Sequence, residues 1–149
     1  MNKPQEIIIH CSATKENQNI TVERITQMHK ERGFNTIGYH YYITKDGVVH
    51  KGRPESSIGA HTIGHNEKSI GICYEGGLDS SGKAKDTRTE KQKESLIKLI
   101  KDIKSRYKIK VIMGHRDTSP DLDHDGQIEP NEYIKQCPCF NAIPEYKNI

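Results

Sequence analysis

Two groups of residues in this chain have the types and spacing to hold a metal ion, and they would hold different ones. Residues 121–132, DLDHDGQIEPNE, place Asp121, Asp123 and Asp125 at positions 1, 3 and 5 of an acidic loop. Gly126 falls at position 6, where such a loop turns sharply, and Glu132 at position 12 could bind through both carboxylate oxygens. Gln127 would add its backbone carbonyl at position 7, and Glu129 could reach the ion through a water. Hard oxygen donors at these offsets are what Ca²⁺ takes; the competing reading is an acidic surface turn. The preceding HRDTSP is no amphipathic helix, and no second loop exists to pair with this one. A calcium ion here would therefore brace the chain rather than act as a sensor.

The second group is scattered. His10 closes a β-branched run, His115 closes another, and Cys137 lies in the C-terminal KQCPCF. Two imidazoles and a thiolate would leave the fourth position of a zinc ion open, as catalytic sites do. No regular spacing joins the three, so on residues alone each His also reads as a satisfied polar group at a strand end. Cys139 offers a second thiolate beside Cys137.

The elements that must position these groups follow from pattern. EIIIHCSAT (6–14) reads as a buried strand feeding a loop. TVERITQMHKERG (21–33) reads as an amphipathic helix capped by Thr21, stopped at Gly33, with Val22, Ile25, Met28 and Arg32 at helical spacing. GYHYYITKDGVVHKGR (38–53) predicts a hairpin turning at Asp46-Gly47 through a type I′ turn. KSIGICYEGG (68–77) predicts a further strand. TEKQKESLIKLIKDIKSRY (89–107) predicts the longest helix, with a Thr89/Gln92 capping box and Leu96, Ile100, Ile103 and Tyr107 on its apolar face. KVIMGH (110–115) predicts the last strand. The fold class expected is α/β (α+β): one domain over 1–149, a mixed sheet flanked by helices, with the acidic loop inserted.

Composition narrows the function. With 32% hydrophobic and 29% charged residues, no Trp and a net charge of +3, the chain reads as one polar globular domain, not a nucleic-acid binder. No run approaches the ~18 apolar residues of a membrane span. MNKPQEIIIH has only a short apolar run, so the expectation is synthesis in the cytoplasm without a signal peptide, with release or delivery to a cell wall by another system. The four Cys are expected as thiols, ligands or core residues, since a bridge between Cys137 and Cys139 would be strained. Cys11 and Cys73 are expected to be buried in strands, and His29, His40 and His50 to be ordinary polar residues.

Five blocks, IIIHCSAT, GYHYYITKDGVVHKGR, GAHTIGHNEKSIGICYEGG, GHRD and KQCPCF, occur in that order between His10 and Phe140. Together they resemble the zinc-dependent N-acetylmuramoyl-L-alanine amidases of the phage lysozyme and peptidoglycan-recognition type. The resemblance implies His10, His115 and Cys137 as zinc ligands, with CP singling out Cys137 over Cys139. It implies chemical roles for Tyr39 and Lys135, otherwise a packed strand aromatic and a solvated turn cation, and groove-lining substrate contacts at His61 and Asn66. The reaction implied is cleavage of the amide between the lactyl group of N-acetylmuramic acid and L-alanine. Zinc would acidify water and polarise that carbonyl, while Lys135 offers charge to the oxyanion and Tyr39 orients water or shuttles a proton. The choice of base between Tyr39 and Lys135 stays open.

The partner expected is peptidoglycan or a muropeptide, with no nucleic acid, no membrane insertion and a monomeric protein. The lytic phage branch is favoured by CSAT and KxCPxF; a cytosolic muropeptide-recycling amidase and a non-catalytic binding module are the alternatives. A calcium-regulated adaptor fits the single loop poorly, and a Cys–His peptidase lacks a Cys at a helix start. The chain departs from many relatives in the acidic insertion between His115 and Cys137, where calcium is expected to place Lys135 and Cys137 against the zinc.

Overall fold

The computed structural model describes residues 1–119 and 136–149. Within these, five strands form a sheet in the order β4-β3-β5-β1-β7, in which β1 (Glu6–Cys11) is an interior strand. Its neighbours β5 (Ser69–Tyr74) and β7 (Val111–Gly114) both run parallel to it, and β3 (Tyr41–Ile43) runs parallel to β5. The edge strand β4 (Val49–Lys51) is antiparallel to β3, so the sheet is mixed as expected. A separate two-stranded pair joins β2 (Thr14–Lys15) to β6 (Gly77–Leu78).

Alternation along β1 divides the interior in two. Ile7 and Ile9 face α2 (Glu90–Arg106) and pack with Ile43, Ile70, Ile72, Tyr74, Leu96, Ile100 and Ile103. The opposite face carries His10 and is covered by α1 (Val22–Glu31), where Ile25 packs with Ile37, Tyr42 and Cys73. Both helices start where the caps require. Thr21 accepts the Arg24 N–H, and Thr89 and Gln92 form the reciprocal capping box. Gln92 is also fully buried, its amide donating to the carbonyls of Ile43, the last residue of β3, and of Glu75, just past β5, and so tying α2 to the ends of both strands.

The hairpin corrects one expectation. Ile43 pairs with Val49, and the Thr44 N–H donates to the Val48 carbonyl at 3.2 Å, which leaves Lys45, Asp46 and Gly47 as a three-residue loop. Only Gly47 has positive φ, at 83°, whereas a type I′ turn needs two such residues. Asp46 instead accepts from the Thr44 hydroxyl and the Val48 N–H, which favours a turn closed by a glycine bulge.

A third helix, α3 (Ala142–Tyr146), was not expected from pattern. It is anchored by Arg88, whose side chain is 2% exposed and bonds to Asp86, Glu145 and the Tyr146 hydroxyl while lying 3.3 Å from the Phe140 ring centroid. Arg88→Met leaves two carboxylates without their cation. The expected loss is about 2–4 kcal/mol of unfolding free energy, somewhat below that of a fully buried pair because both carboxylates reach solvent. Chemical denaturation checks this, and a loss below about 1 kcal/mol would assign Arg88 a surface role.

Candidate active site

His10 and His115 meet because of parallel register. Ile9 of β1 pairs with Gly114 of β7, so the next residues of the two strands stand side by side at the carboxyl edge of the sheet. Their ring centroids are 4.6 Å apart. His10 is 1% exposed, and His115 opens a short 3₁₀ turn, His115–Thr118, that carries the chain away from the sheet.

Cys137 is brought to the same edge by a set of contacts to its own segment. Its carbonyl accepts the Arg116 N–H at 2.8 Å, and its Sγ accepts the Cys11 N–H at 3.0 Å. Pro138, joined to it by a cis peptide, offers its carbonyl to the Tyr74 hydroxyl. The Pro138 ring rests on Gly114, where any Cβ would lie 2.5 Å from Cδ, so a side chain at 114 would push the segment off the strand. The candidate ligand atoms of His10, His115 and Cys137 all lie within 4.8 Å of one another. Cys139 turns away through a positive φ of 70°, and its Sγ donates to the Gly77 carbonyl at 3.3 Å.

Tyr39, just before β3, lays its ring against His10 at 5.0 Å and His29 at 5.2 Å between centroids. Burial first, and then the neighbouring thiols of Cys73, Cys137 and Cys11, hold its hydroxyl pKa well above the ordinary phenol value. The Tyr39 hydroxyl therefore keeps its proton in this arrangement. His29 and His40 are more than ordinary polar residues. His29 is 4% exposed, and its Nδ1 accepts the Gly38 N–H at 2.8 Å, fixing the approach to Tyr39. Burial lowers its pKa, so the acceptor form persists. His40 is 0% exposed and its Nδ1 accepts the Gly71 N–H at 3.0 Å. The signal for His29 was its place one turn after Ile25 on the buried helix face; His40 had none, because its partner lies a strand away.

His61, Asn66 and His115 line an open groove of about 620 Å³ together with Arg32, Phe34 and Ile63. Within it, Asn66 Oδ1 accepts the N–H groups of both His61 and Thr62 at 2.9 Å, and His61 Nδ1 is 2.9 Å from His10 Nε2. Burial, reinforced by the neighbouring His40, lowers the His61 pKa to about 3, which keeps the ring neutral. A larger depression of about 980 Å³ lies between the hairpin and α2, and none of the three clustered donors lines it. Lys135 and the calcium candidates Asp121, Asp123, Asp125, Gln127 and Glu132 lie outside the described residues.

A parallel-centred sheet ending in two imidazoles and a thiol beside an open groove is an α/β architecture suited to metal-assisted hydrolysis. Residues 1–138 match the N-acetylmuramoyl-L-alanine amidase family, and the chain belongs to it. It is therefore an amidase of the N-acetylmuramoyl-L-alanine class. It is 39% identical to the endolysin of Enterobacteria phage T3 over 137 residues, covering 92% of this chain and 82% of that protein. Among solved structures it resembles the N-acetylmuramoyl-L-alanine amidase LysC from Clostridium intestinale, with a TM-score of 0.74, 30% identity, and coverage of 97% of this chain and 82% of that one. It also resembles bumblebee PGRP-SA, with a TM-score of 0.71, 27% identity, and coverage of 99% and 82%. Among the described residues no helix is long and apolar enough to cross a membrane.

Proposed function

We propose that this chain is a zinc-dependent, lytic amidase of the phage endolysin type. Its substrate is peptidoglycan, cut between the lactyl group of N-acetylmuramic acid and the L-alanine of the stem peptide. The observation that carries this reading is the convergence of His10, His115 and Cys137 to within 4.8 Å beside the groove. The donor set fits zinc. Two imidazoles and one sulfur match its preference, and the Cys11 N–H directed at Cys137 Sγ helps to hold that sulfur at the cluster.

When bound, zinc would supply a Lewis acid that acidifies water and polarises the scissile carbonyl. The chain supplies the rest. The groove beside His115 takes the stem peptide and sugar, with Phe34 and Ile63 offering apolar surface. Tyr39, protonated and packed against His10, donates a hydrogen bond as charge develops on the carbonyl oxygen. Lys135, two residues before Cys137, is proposed as the cation beside that charge, leaving Tyr39 as donor rather than base. The whole chain, 1–149, is read as one domain that acts as a monomer on a wall reached by release or delivery. The oxygen-donor spacing of residues 121–132 supports a structural Ca²⁺ holding the Lys135 segment.

Digestion of purified sacculi by the metal-loaded and metal-stripped enzyme tests the reaction. New L-alanine amino termini without new reducing sugars, lost on stripping and restored by Zn²⁺, are expected. Activity confined to soluble muropeptides would make the protein a recycling enzyme, and muropeptide binding without cleavage would make it a recognition module.

A further inference from the structure

The groove-facing His61 has its Nδ1 turned toward a candidate ligand, and the surrounding bonds settle which of the two facing ring nitrogens carries the hydrogen. Ser69 Oγ lies 2.8 Å from the His65 carbonyl, which can only accept, so the hydroxyl proton points there. Ser69 Oγ is also 3.2 Å from His61 Nε2, and with its own proton committed it must accept; His61 Nε2 therefore carries a hydrogen. A neutral imidazole carries only one, so His61 Nδ1 is an acceptor. Facing it at 2.9 Å, His10 Nε2 must then donate. Thr62 Oγ1, 3.0 Å from His61 Nδ1 and 3.3 Å from His10 Nε2, completes the junction.

The chain of bonds runs one way: His10 Nε2–H to His61, His61 Nε2–H to Ser69, Ser69 O–H to a carbonyl. It selects the His10 tautomer whose lone pair is on Nδ1. The ring that does the selecting is itself held in a slot. A Cβ on Gly59 or Gly71 would lie 2.6 Å or 2.7 Å from the His61 ring, so glycine at both positions lets the imidazole lie against β5. From the other side Asn66 clamps the His61 and Thr62 backbone.

We infer that His61 is a positioning residue for His10, fixing its tautomer and ring orientation so that Nδ1 is presented to the metal, rather than primarily a substrate contact. The inference rests on the zinc reading of His10. It assigns Asn66 and Ser69 supporting places in the same relay. Partners of this kind set the basicity and aim of a ligand imidazole, and their loss typically costs about 10–100-fold in metal affinity.

Zinc titration of metal-free protein, in competition with a chromophoric chelator, tests it without reference to turnover. His61→Leu, which removes the acceptor but keeps bulk, is expected to weaken Zn²⁺ binding by about 10–100-fold. His61→Asn returns an oxygen near the Nδ1 position and is expected to recover most of that loss; a purely structural role would not be rescued by so small a side chain. Unchanged zinc affinity in His61→Leu, with a raised KM on peptidoglycan, would overturn the inference and restore the substrate-contact role. Cys137→Ala is the reference: if it binds zinc as tightly as wild type, the metal reading itself fails, a distinct result. Should His61→Leu not fold, Ser69→Ala carries the test. Removing the relay's anchor is expected to weaken zinc binding several-fold, and an affinity equal to wild type would count against the relay.

Discussion

Cys137→Ser lowers amidase turnover by about a thousandfold, while Cys139→Ser leaves it within about threefold. The contrast is sharp because the two thiols are one residue apart and chemically alike, yet the backbone treats them oppositely. Cys137 Sγ joins the cluster with His10 and His115 and receives the Cys11 N–H. Cys139, at a φ of 70°, directs its sulfur to the Gly77 carbonyl, a bond that a serine hydroxyl can also make. A Lewis acid is worth several kcal/mol of transition-state stabilisation. At about 1.4 kcal/mol per factor of ten, losing roughly 4 kcal/mol gives the thousandfold. Metal content after dialysis should fall with Cys137→Ser and not with Cys139→Ser. The unfolding temperature supplies an independent readout, since a ion bound only by the folded state raises it with concentration. That zinc-dependent rise should vanish in Cys137→Ser. Retention of full activity by Cys137→Ser, or loss in Cys139→Ser alone, would exchange the two thiols and sink the proposed ligand set.

The sequence reading and the structure agree most closely where local rules suffice. The helix over 89–107 declared itself through Thr89, Gln92 and an apolar row from Leu96 to Ile103, and α2 occupies Glu90–Arg106 with that box formed. The β-branched run at Ile7–Ile9 marked a buried strand by an equally local rule, and β1 is buried on both faces. What pattern missed depends on partners distant in the chain. α3 is five residues long and contains Pro144, too short for any periodicity to emerge; Arg88, more than fifty residues earlier, holds it through Glu145 and Tyr146. His40 reads as polar until β5 supplies the Gly71 N–H for it to accept. The same limit applied to the site. His10 and His115 become neighbours only through parallel β1–β7 pairing, which spacing along the chain does not encode. Family resemblance bridged that gap for His10, His115 and Cys137, but it described His61 only as groove lining. The bond from His61 to His10 required the fold.

Tyr39→Phe separates packing from chemistry at the same site, and its expected effect is a fall in kcat of about 100–1,000-fold with KM within about threefold. The ring of Tyr39 packs against those of His10 and His29, and both contacts survive the substitution because only the hydroxyl is removed. The chain's zinc affinity should therefore stay at the wild-type level, unlike that of His61→Leu. The hydroxyl itself has an ordinary pKa near 10, and burial beside Cys73, Cys137 and Cys11 moves it higher, so Tyr39 holds its proton throughout the neutral range. A group that keeps its proton is useful to a reaction that develops negative charge on oxygen, and its absence is felt in the transition state more than in substrate binding. Steady-state kinetics on a soluble muropeptide distinguishes the outcomes. A raised KM with unchanged kcat would make Tyr39 a binding surface, and wild-type values for both would return it to the role of an aromatic packed beside His10.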